Sequence, residues 1–502
     1  MIKTSDIERP RRVKADFDQN FNATAHGGAV LVEQVMRSLG VMRFISKHLP
    51  ERSPLCQYSM PNAVYALIAA LLVGGRGIGA NDVLSSSAAL PEIFGLEKGV
   101  PSAPTMYRVL CELAGLKERP WDKTYQKSGA VQARMELGGG ERLATMSRRI
   151  VPDVPEFAKG ENREALRDFF LAVAKRCAKA IARTMMTLHG WYTVFGDGTD
   201  LEVDGDCFDA ARMGRKGEKI IRLMMLMLGP VTMGHDLLPG NADEGTHLPD
   251  LIARTKEGIR EVVGGMAKIM ALLDAAFFEK AVIEEMEKCG WDFIVCANQR
   301  RGALQRLAEE QPGMVWKDTG PDAERGWRRS QVCAFVHTPA GWERSVTIVC
   351  RRYENEGEMS GLWNYSFLAT RIEENELPKK LRGNYAEAIF MLYGTKQGRE
   401  NHLKTPLCDL NLHQPPSCRM GVNEALYAVA LAASNIAMVI RYRVIGGEHR
   451  GMQLWRIRKI FFQIAGYLKR GGRTLQVWLS GGDTSLWRQT VWLSAYAEAG
   501  RL

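Results

Sequence analysis

The stretch Trp191-Tyr192-Thr193-Val194-Phe195-Gly196-Asp197 is a run of aromatic, β-branched and small residues that ends in a carboxylate. Residues of these types favour β-strands, and a mostly apolar run of this length is typical of a buried strand. The sequence therefore predicts a strand from Trp191 to Gly196, with Asp197 immediately after it.

A second run of this kind, Ile269-Met270-Ala271-Leu272-Leu273, is followed by Asp274. In an open α/β sheet the active site forms at the edge where the strands end, so we expect Asp197 and Asp274 at that edge. An Asp after a strand is also common as a helix N-cap or a turn residue, and this alternative applies to either residue taken alone.

A third acid, Glu400, stands among Tyr393, Lys396 and Lys404 at spacings of three or four residues. This spacing predicts that the four side chains share one face of a helix. The alternative is a solvated ladder of ion pairs. Combined with Asp197 and Asp274, Glu400 would be the third ligand of a Mg²⁺ site, since Mg²⁺ requires hard oxygen ligands and room for water and phosphate.

The remaining pattern around these acids alternates between strands and helices. Strands are predicted at 219–228, 267–273, 291–297, 331–335, 345–351 and 365–370, helices at 248–261 and 277–288, and a turn-rich stretch at Pro239-Gly240-Asn241. Strands followed by strand–helix alternation indicate a mixed α/β sheet. Helices resume at residue 386 and continue, with breaks, to the end.

The N-terminal part is predicted to be helical. Residues 27–49 and 62–72 have helical spacing, and residues 101–110 begin with turn and capping residues before an amphipathic helix. This is the pattern of the second helix of a helix-turn-helix, with Thr105, Tyr107 and Arg108 near its exposed N-terminal end. A helical bundle without DNA contacts has the same pattern. Residues 117–160, rich in charge, Gly and Pro, are predicted to be a linker.

Composition limits the class of protein. A chain of 502 residues is expected to form several domains. Its net charge of +10 and pI near 9.1 suggest a polyanionic partner, or else a basic enzyme whose charge has no specific role. The ten cysteines include no Cys-x-x-Cys pair, which argues against a zinc ribbon. The charged N-terminus and the short apolar segment at 63–73 predict a cytoplasmic protein with no membrane partner.

These motifs resemble those of DDE transposases from bacterial insertion sequences. Phe195-Gly196-Asp197-Gly198-Thr199 is similar to their strand-Asp-x-Thr block, Leu238-Pro239-Gly240-Asn241 to their Pro-Gly-Asn turn, and the residues from Leu273 to Phe278 to their second-Asp block. Tyr393, Lys396 and Glu400 keep the spacing of the third block of the insertion-sequence-four superfamily. The segment Trp455-Arg456-Ile457-Arg458-Lys459 with Gly472-Arg473 resembles the basic tail of the thirteen-eighty-like group.

Two positions of the third block depart from the family. Lys396 replaces an Arg, which keeps the positive charge but loses the bidentate fork. Leu407 stands where the family has a final Lys, and Lys404, one turn after Glu400, is the nearest substitute.

The resemblance implies a multidomain α/β protein with an RNase H-like, mixed-sheet catalytic domain. Its parts would be a helical N-terminal DNA-binding region (1–120), a linker and helix (121–188), the catalytic domain (189–298 and 384–445), a β-rich insertion (299–383) and a helical, basic C-terminal region (446–502).

The implied activity is that of a transposase, which cleaves DNA at transposon ends and joins the ends to target DNA. Two Mg²⁺ ions, replaceable by Mn²⁺, would lie about 3.5–4 Å apart on Asp197, Asp274 and Glu400. The partners would be the terminal inverted repeats and target DNA, bound by a homodimer at the bacterial nucleoid. A nuclease without strand transfer and a domesticated, inactive DNA-binding protein are the alternatives.

Several further residues are predicted to contact DNA. Tyr393 belongs to the third block, and Lys396 and Lys404 are expected to contact the DNA backbone rather than the metal, because an ammonium pairs with phosphate but cannot ligate Mg²⁺. Trp327, Trp342 and Trp363 lie among arginines, which suits stacking on an extruded base. Buried sheet tryptophans beside surface arginines would give the same composition.

Overall fold

A computed structural model describes residues 23–117 and 156–502, except 186–188, 204–207, 215–216, 298–300, 311–312, 472–473 and 482–484. The predicted linker falls largely outside the described residues.

One mixed sheet of ten strands forms the centre of the protein. Its strands are β2 (Trp191–Glu202), β3 (Arg212–Met213), β4 (Lys219–Leu228), β5 (Val231–Pro239), β6 (Lys268–Leu273), β7 (Asp292–Cys296), β8 (Lys317–Asp318), β9 (Trp327–His337), β10 (Val346–Asn355) and β11 (Asn364–Thr370). The long strand β2 pairs antiparallel with β4 and parallel with β6, and β6 pairs parallel with β7. The order is β3-β4-β2-β6-β7-β11-β10-β9-β8, with β5 paired to β4.

The predicted insertion contributes strands to this same sheet. β11 pairs antiparallel with β7 through Leu368–Thr370, and β10 and β9 continue the sheet outward. Strands β2, β6 and β7 and the strands of the predicted insertion therefore share one continuous hydrogen-bonded sheet.

Helices cover the sheet and build the N-terminal part. Those before the sheet are α1 (Val30–Leu39), α2 (Val41–His48), α3 (Met60–Val73), α4 (Asp82–Ser85), α5 (Ala89–Ile93), α6 (Ala103–Leu113) and α7 (Gly160–Ile181). Those within and after it are α8 (Glu244–Val263), α9 (Lys280–Lys288), α10 (Arg301–Glu310), α11 (Tyr385–Gly394), α12 (Gln397–Lys404), α13 (Met420–Val439), α14 (Leu454–Ile457) and α15 (Leu486–Ala499).

Helix α13 is the central helix of the core, because every one of its residues is buried. The side-chain amide of Asn435 accepts a hydrogen bond from the Thr232 N–H (2.9 Å) and donates one to the Thr232 carbonyl (2.8 Å), which fixes α13 to β5. The segment Met420–Ile445 is long and apolar enough to cross a membrane, but 94% of its most apolar window is buried inside the protein. Packing within the fold accounts for its apolar surface.

The two ends of the described chain are joined. Strand β1 (Ala23–Thr24) pairs with the first strand of a hairpin formed by β12 (Gly466–Gly471) and β13 (Thr474–Leu479). The buried Arg458 guanidinium donates hydrogen bonds to the carbonyls of Leu71 and Leu72 at the end of α3, and to the carbonyl of Asp409. The C-terminal segment therefore completes the N-terminal helical region.

The structure confirms several predicted elements and corrects others. The predicted strand at 219–228 coincides with β4. Strand β2 continues to Glu202, so Asp197 lies within a strand rather than after it. Residues 231–239, for which no strand was predicted, form β5, and the predicted turn follows it at Gly240 and Asn241. The C-terminal region, predicted to be helical, also contains the β12–β13 hairpin.

Candidate active site

Asp197 and Asp274 come together because β2 and β6 are parallel neighbours. Gly196 pairs in register with Leu273, so each Asp is the next residue along its strand. Asp274 directly follows β6, as predicted. The pairing register thus brings the two acids together, but only Asp274 lies at the end of its strand, because β2 continues past Asp197 to Glu202.

The surroundings of Asp197 disfavour its charge. Its pKa is raised to about 6: burial is the main cause, the Lys396 ammonium opposes it, and the carboxylates of Asp274 and Glu244 add to it. Asp197, Asp274, Glu244 and Lys396 therefore form one electrostatically coupled group. A cation brought to this group would stabilise the ionised form of Asp197.

Asp274 is held by two residues of the predicted third block. The Lys396 ammonium lies 2.5 Å from Asp274 Oδ1, and its side chain is only 10% exposed. The Tyr393 hydroxyl lies 3.3 Å from the same Oδ1 and 3.2 Å from the Leu273 carbonyl oxygen. Burial raises the pKa of Tyr393, so this hydroxyl stays protonated and donates. Both side chains fix the orientation of the Asp274 carboxylate.

Glu400 lies in α12, as predicted, but the continuous helix face predicted for its segment is interrupted. Helix α11 ends at Gly394 and α12 begins at Gln397, so Lys396 lies in the break between the two helices. The side chain of Glu400 is not among those that the structure describes. Lys404 is exposed at the end of α12, and Leu407 packs against the hydrophobic core. Core packing explains the Leu in place of the family's final Lys.

Sequence reasoning missed a fourth carboxylate, Glu244, at the first residue of α8. A Cβ built on Gly198 would lie 2.4 Å from Glu244 Oε1, so this carboxylate lies directly over the residue that follows Asp197. Arg222 of β4 lies 2.9 Å from Glu244 Oε1 and 2.8 Å from Asp200 Oδ1. The available signal was the position of Glu244 shortly after the Pro239-Gly240-Asn241 turn.

The chemistry of these donors fits a hard divalent cation. Asp197 and Asp274 offer carboxylate oxygens that repel each other's charge, and a lysine ammonium already lies against one of them. Among the described side chains, no group of three or more His, Cys, Asp or Glu residues is arranged to hold a metal ion. A three-carboxylate site therefore depends on Glu400.

The predicted tryptophans all have aromatic or cationic neighbours. Trp327 stacks on Tyr353, with 4.4 Å between the ring centroids, and the guanidinium of Arg325 lies 4.8 Å from its centroid. Trp363 contacts the guanidinium groups of Arg352 (4.6 Å) and Arg329 (5.4 Å). Trp342 lies against Phe278, 5.2 Å between centroids. All three are half-buried, and their predicted stacking on DNA bases remains a prediction.

In the predicted helix-turn-helix, Arg108 is exposed on α6, whereas Tyr107 is buried. The prediction that Tyr107 lies at an exposed helix end was therefore wrong. Tyr107 occupies the face of α6 that packs into the N-terminal core.

Comparisons with known proteins point in one direction. The sequence matches the family model described as Transposase DDE domain group 1 over residues 231–489, just over half of the chain. The match includes Asp274 and Glu400, and Asp197 lies before it. No curated protein sequence matches the chain.

Two solved structures are similar at low TM-scores. A piggyBac transposase synaptic complex with hairpin DNA, determined by cryo-EM, has a TM-score of 0.39 and 9% identity, covering 94% of this chain and 78% of that chain. A Mos1 transposase paired-end complex with the left transposon end has a TM-score of 0.16 and 14% identity, covering 47% and 76%. At these scores neither likeness carries an argument.

Proposed function

Because the chain belongs to the DDE transposase family of domain group 1, we propose that it cleaves DNA at transposon ends and joins them to target DNA, with Asp197, Asp274 and Glu400 as its catalytic carboxylates. The finer assignment, to the thirteen-eighty-like group of the insertion-sequence-four superfamily, rests on the spacing of Tyr393, Lys396 and Glu400. The mixed order β5-β4-β2-β6-β7 supports an RNase H-like catalytic domain.

The observation that carries this proposal is the pairing of Asp197 with Asp274. Two parallel strands in register place the acids side by side, burial opposes the charge of the first, and Lys396 contacts the second. Such a group favours the binding of positive charge. A purely structural Asp pair would gain nothing from this mutual repulsion.

Asp197, Asp274 and Glu400 would hold two Mg²⁺ ions, for which Mn²⁺ can substitute. Bound there, the metal supplies activation of an attacking hydroxyl and stabilisation of the leaving 3′-oxygen. Tyr393 and Lys396 keep Asp274 in one orientation, and Lys404 contacts a phosphate of the bound strand. In hydrolysis, water attacks phosphorus and the bond to the 3′-oxygen breaks; in strand transfer, a DNA 3′-hydroxyl replaces the water, so neither step consumes ATP.

The proposed partners are the terminal inverted repeats and target DNA, bound by a homodimer, with end binding centred on residues 1–120. Sequencing the DNA that flanks the gene identifies matched terminal repeats and thereby the substrate. The decisive assay uses the full-length chain, a duplex that carries this end, a target duplex and MgCl₂. Cleaved ends and joined products are then resolved on a gel.

Asp197→Asn, Asp274→Asn and Glu400→Gln should each abolish cleavage and leave end binding nearly intact, since each keeps shape and removes one charge. Asp250→Asn, the same change at an exposed position of α8, should leave both intact. A variant that cuts at the parental rate would remove its residue from the catalytic set. Cleavage without joined products would assign a nuclease, and end binding without cleavage by the parental chain would assign an inactive DNA-binding protein.

A further inference from the structure

The surplus positive charge of the chain is concentrated at its C-terminal end. Residues 441–502 contain eleven Lys and Arg but only three Asp and Glu, whereas the whole chain has a net charge of +10. Some of these cations have structural partners: Arg458 is buried, and Arg443 pairs with Glu498 at 2.7 Å. Arg450, Arg456, Lys459 and Lys469 are exposed.

Exposed aromatic side chains are concentrated in the same segment. In the part of the chain that the structure describes, the exposed aromatics are Trp455, Tyr467, Trp478 and Trp487, each about half exposed. The tryptophans of the central sheet are more buried and have aromatic or cationic neighbours. Cations and exposed aromatic rings thus coincide in one region, which neither core packing nor solubility requires.

Two of these aromatics lie side by side on the β12–β13 hairpin. Tyr467 pairs in register with Trp478, and Lys469 with Gln476. All four side chains are exposed, whereas Leu468 is buried and Val477 is partly buried. Because side chains alternate between the faces of a strand, the hairpin has one face toward the protein and one toward solvent. We name the solvent face, formed by Tyr467, Lys469, Gln476 and Trp478, the hairpin face.

The rings of Tyr467 and Trp478 are nearly parallel, with an interplanar angle of 6° and 6.3 Å between their centroids. They form a stacked aromatic pair, about half exposed, on the same face of the hairpin as Lys469. A protein that binds single-stranded nucleic acid combines aromatic platforms for the bases with cations for the backbone. Bases in an intact duplex are covered by their neighbours, so such a platform suits bases that are unpaired.

We propose that the hairpin face binds an unpaired DNA strand, with a base stacked on Tyr467 and Trp478 and a phosphate paired with Lys469. This inference rests on the proposed function, because cutting and joining strands exposes unpaired nucleotides close to the enzyme. Charge complementarity selects the occupant, since the segment is strongly cationic and the DNA strand is polyanionic. The hairpin belongs to a three-stranded sheet distinct from the sheet that carries Asp197 and Asp274, so its role is to hold DNA and not to cut it.

The test measures binding of the full-length protein to a fluorescent oligothymidylate of about 20 nucleotides in EDTA, where cleavage does not contribute. Trp478→Ala should weaken binding by about 5- to 150-fold, the range expected for loss of one base stack. Trp478→Phe should retain most of the affinity. Lys469→Ala should lower the slope of log affinity against log salt by about 0.7, the value for one phosphate contact on a single strand.

Leu475→Ala is the matched control, because the alternation of side chains along β13 places Leu475 on the opposite face of the hairpin from Gln476 and Trp478. It should bind like the parental protein. Equal losses in Leu475→Ala and Trp478→Ala would overturn the proposal, because hairpin stability and not its outer face would then matter. Unchanged DNA binding in Trp478→Ala and Lys469→Ala would also overturn the proposal. So would a change in the oligomeric state of these two variants without a change in their affinity for DNA.

The assay is independent of the proposed catalytic activity. Hairpin-dependent strand binding by a protein that fails to cleave end DNA would support the hairpin face and refute the transposase activity. Cleavage and joining that persist while the oligothymidylate does not bind would refute the hairpin face alone.

Discussion

The carboxylate of Glu244 lies directly over Gly198, so close that a Cβ on Gly198 would be 2.4 Å from Glu244 Oε1. Glycine at position 198 thus lets the first turn of α8 approach the strand that carries Asp197. Arg222 holds Glu244 in place from the neighbouring strand.

Gly198→Ala should therefore lower the free energy of unfolding by about 1–3 kcal/mol, the usual cost of an added methyl in a packed site. It should also reduce cleavage, because Glu244 must move away from Asp197. Urea unfolding and the end-cleavage assay measure the two effects. Gly302→Ala is the control: a Cβ there meets nothing within 4 Å in helix α10, so this variant should keep or slightly raise stability. Equal stability of both variants would contradict the close approach.

Tyr393→Phe should raise the Mg²⁺ concentration needed for half-maximal cleavage by about tenfold, because the carboxylate of Asp274 loses a group that orients it. Tyr385→Phe is a matched control on the same helix, since its hydroxyl donates to the Ile372 carbonyl at 2.6 Å, away from the acids. Titration of cleavage against MgCl₂ compares the two. If both variants show the parental Mg²⁺ dependence, Tyr393 does not position Asp274.

Alanine variants of Lys396 and Lys404, the two lysines of the third block, should have different effects on DNA binding and on Mg²⁺ dependence. Lys404→Ala should lower the slope of log end affinity against log salt by about 0.9, with unchanged Mg²⁺ dependence, because Lys404 is an exposed cation at the end of α12. Lys396→Ala should change the Mg²⁺ dependence as well, because its ammonium contacts Asp274. Lys288→Ala, on the exposed side of α9, serves as the control. An unchanged salt slope in Lys404→Ala would contradict the phosphate contact and indicate that Lys404 is a solvated surface residue.

The stability of the protein should fall between about pH 6.5 and pH 4 because of His235. Burial lowers the pKa of this imidazole to about 4, and its ring lies edge-on to Phe170. Asp236 raises this pKa, and Arg254, Arg167 and Arg163 lower it. The folded protein accommodates the neutral imidazole of His235 but disfavours its protonated form. The contribution of the neutral ring to the free energy of unfolding is therefore fully present above pH 6.5, the pKa of the unfolded state, and is lost as the pH falls toward 4.

The loss attributable to His235 approaches about 3 kcal/mol at the lower limit. Urea unfolding across this pH range should show a weaker pH dependence for His235→Leu than for the parental chain. His413→Leu, at an exposed position, should retain the parental dependence. A His235→Leu profile parallel to the parental one would contradict this assignment.

End binding should depend on Arg108, and this is best tested in the full-length chain because the N-terminal helices are completed by Arg458 and β12. Arg108→Ala should weaken binding of the end-bearing duplex, and a smaller salt slope would identify a phosphate contact. Tyr107→Phe, at a buried position, should bind normally. Equal end affinity of Arg108→Ala and the parental chain would place the contact elsewhere.

The proximity of Asp197 and Asp274 was predictable because a strong strand signal precedes each of them. Strand β4 was placed correctly for the same reason: it is a continuous apolar run. Strand β5 was not, since Gly234, Asp236 and Pro239 weaken its local signal, and pairing with β4 rather than propensity makes it a strand. The extension of β2 beyond Asp197 likewise depends on pairing with β4.

The position of Glu244 soon after the Pro239-Gly240-Asn241 turn was too weak a signal to place it at the site, because the approach of the first turn of α8 to Gly198 is a tertiary contact. The C-terminal hairpin did have a signal, with Gly471-Gly472 between two stretches of alternating residues. The basic residues of this segment fit the predicted helical, basic C-terminal region equally well, so the alternating pattern did not decide the prediction. Tertiary contacts thus explain why β5 and the position of Glu244 were not predicted, and a competing sequence pattern explains why the β12–β13 hairpin was not.

The joining of the two chain ends also has a consequence for synthesis on the ribosome. Strand β1 finds its partner in β12, and the last carbonyls of α3 find theirs in Arg458, near the end of the chain. Domains usually fold as they emerge, N-terminal first. Here β1 and the last carbonyls of α3 lack these partners until Arg458 and β12 have been synthesised. A chain terminated before Arg458 therefore lacks a finished N-terminal region, and one terminated before Tyr393 also lacks the residues that orient Asp274.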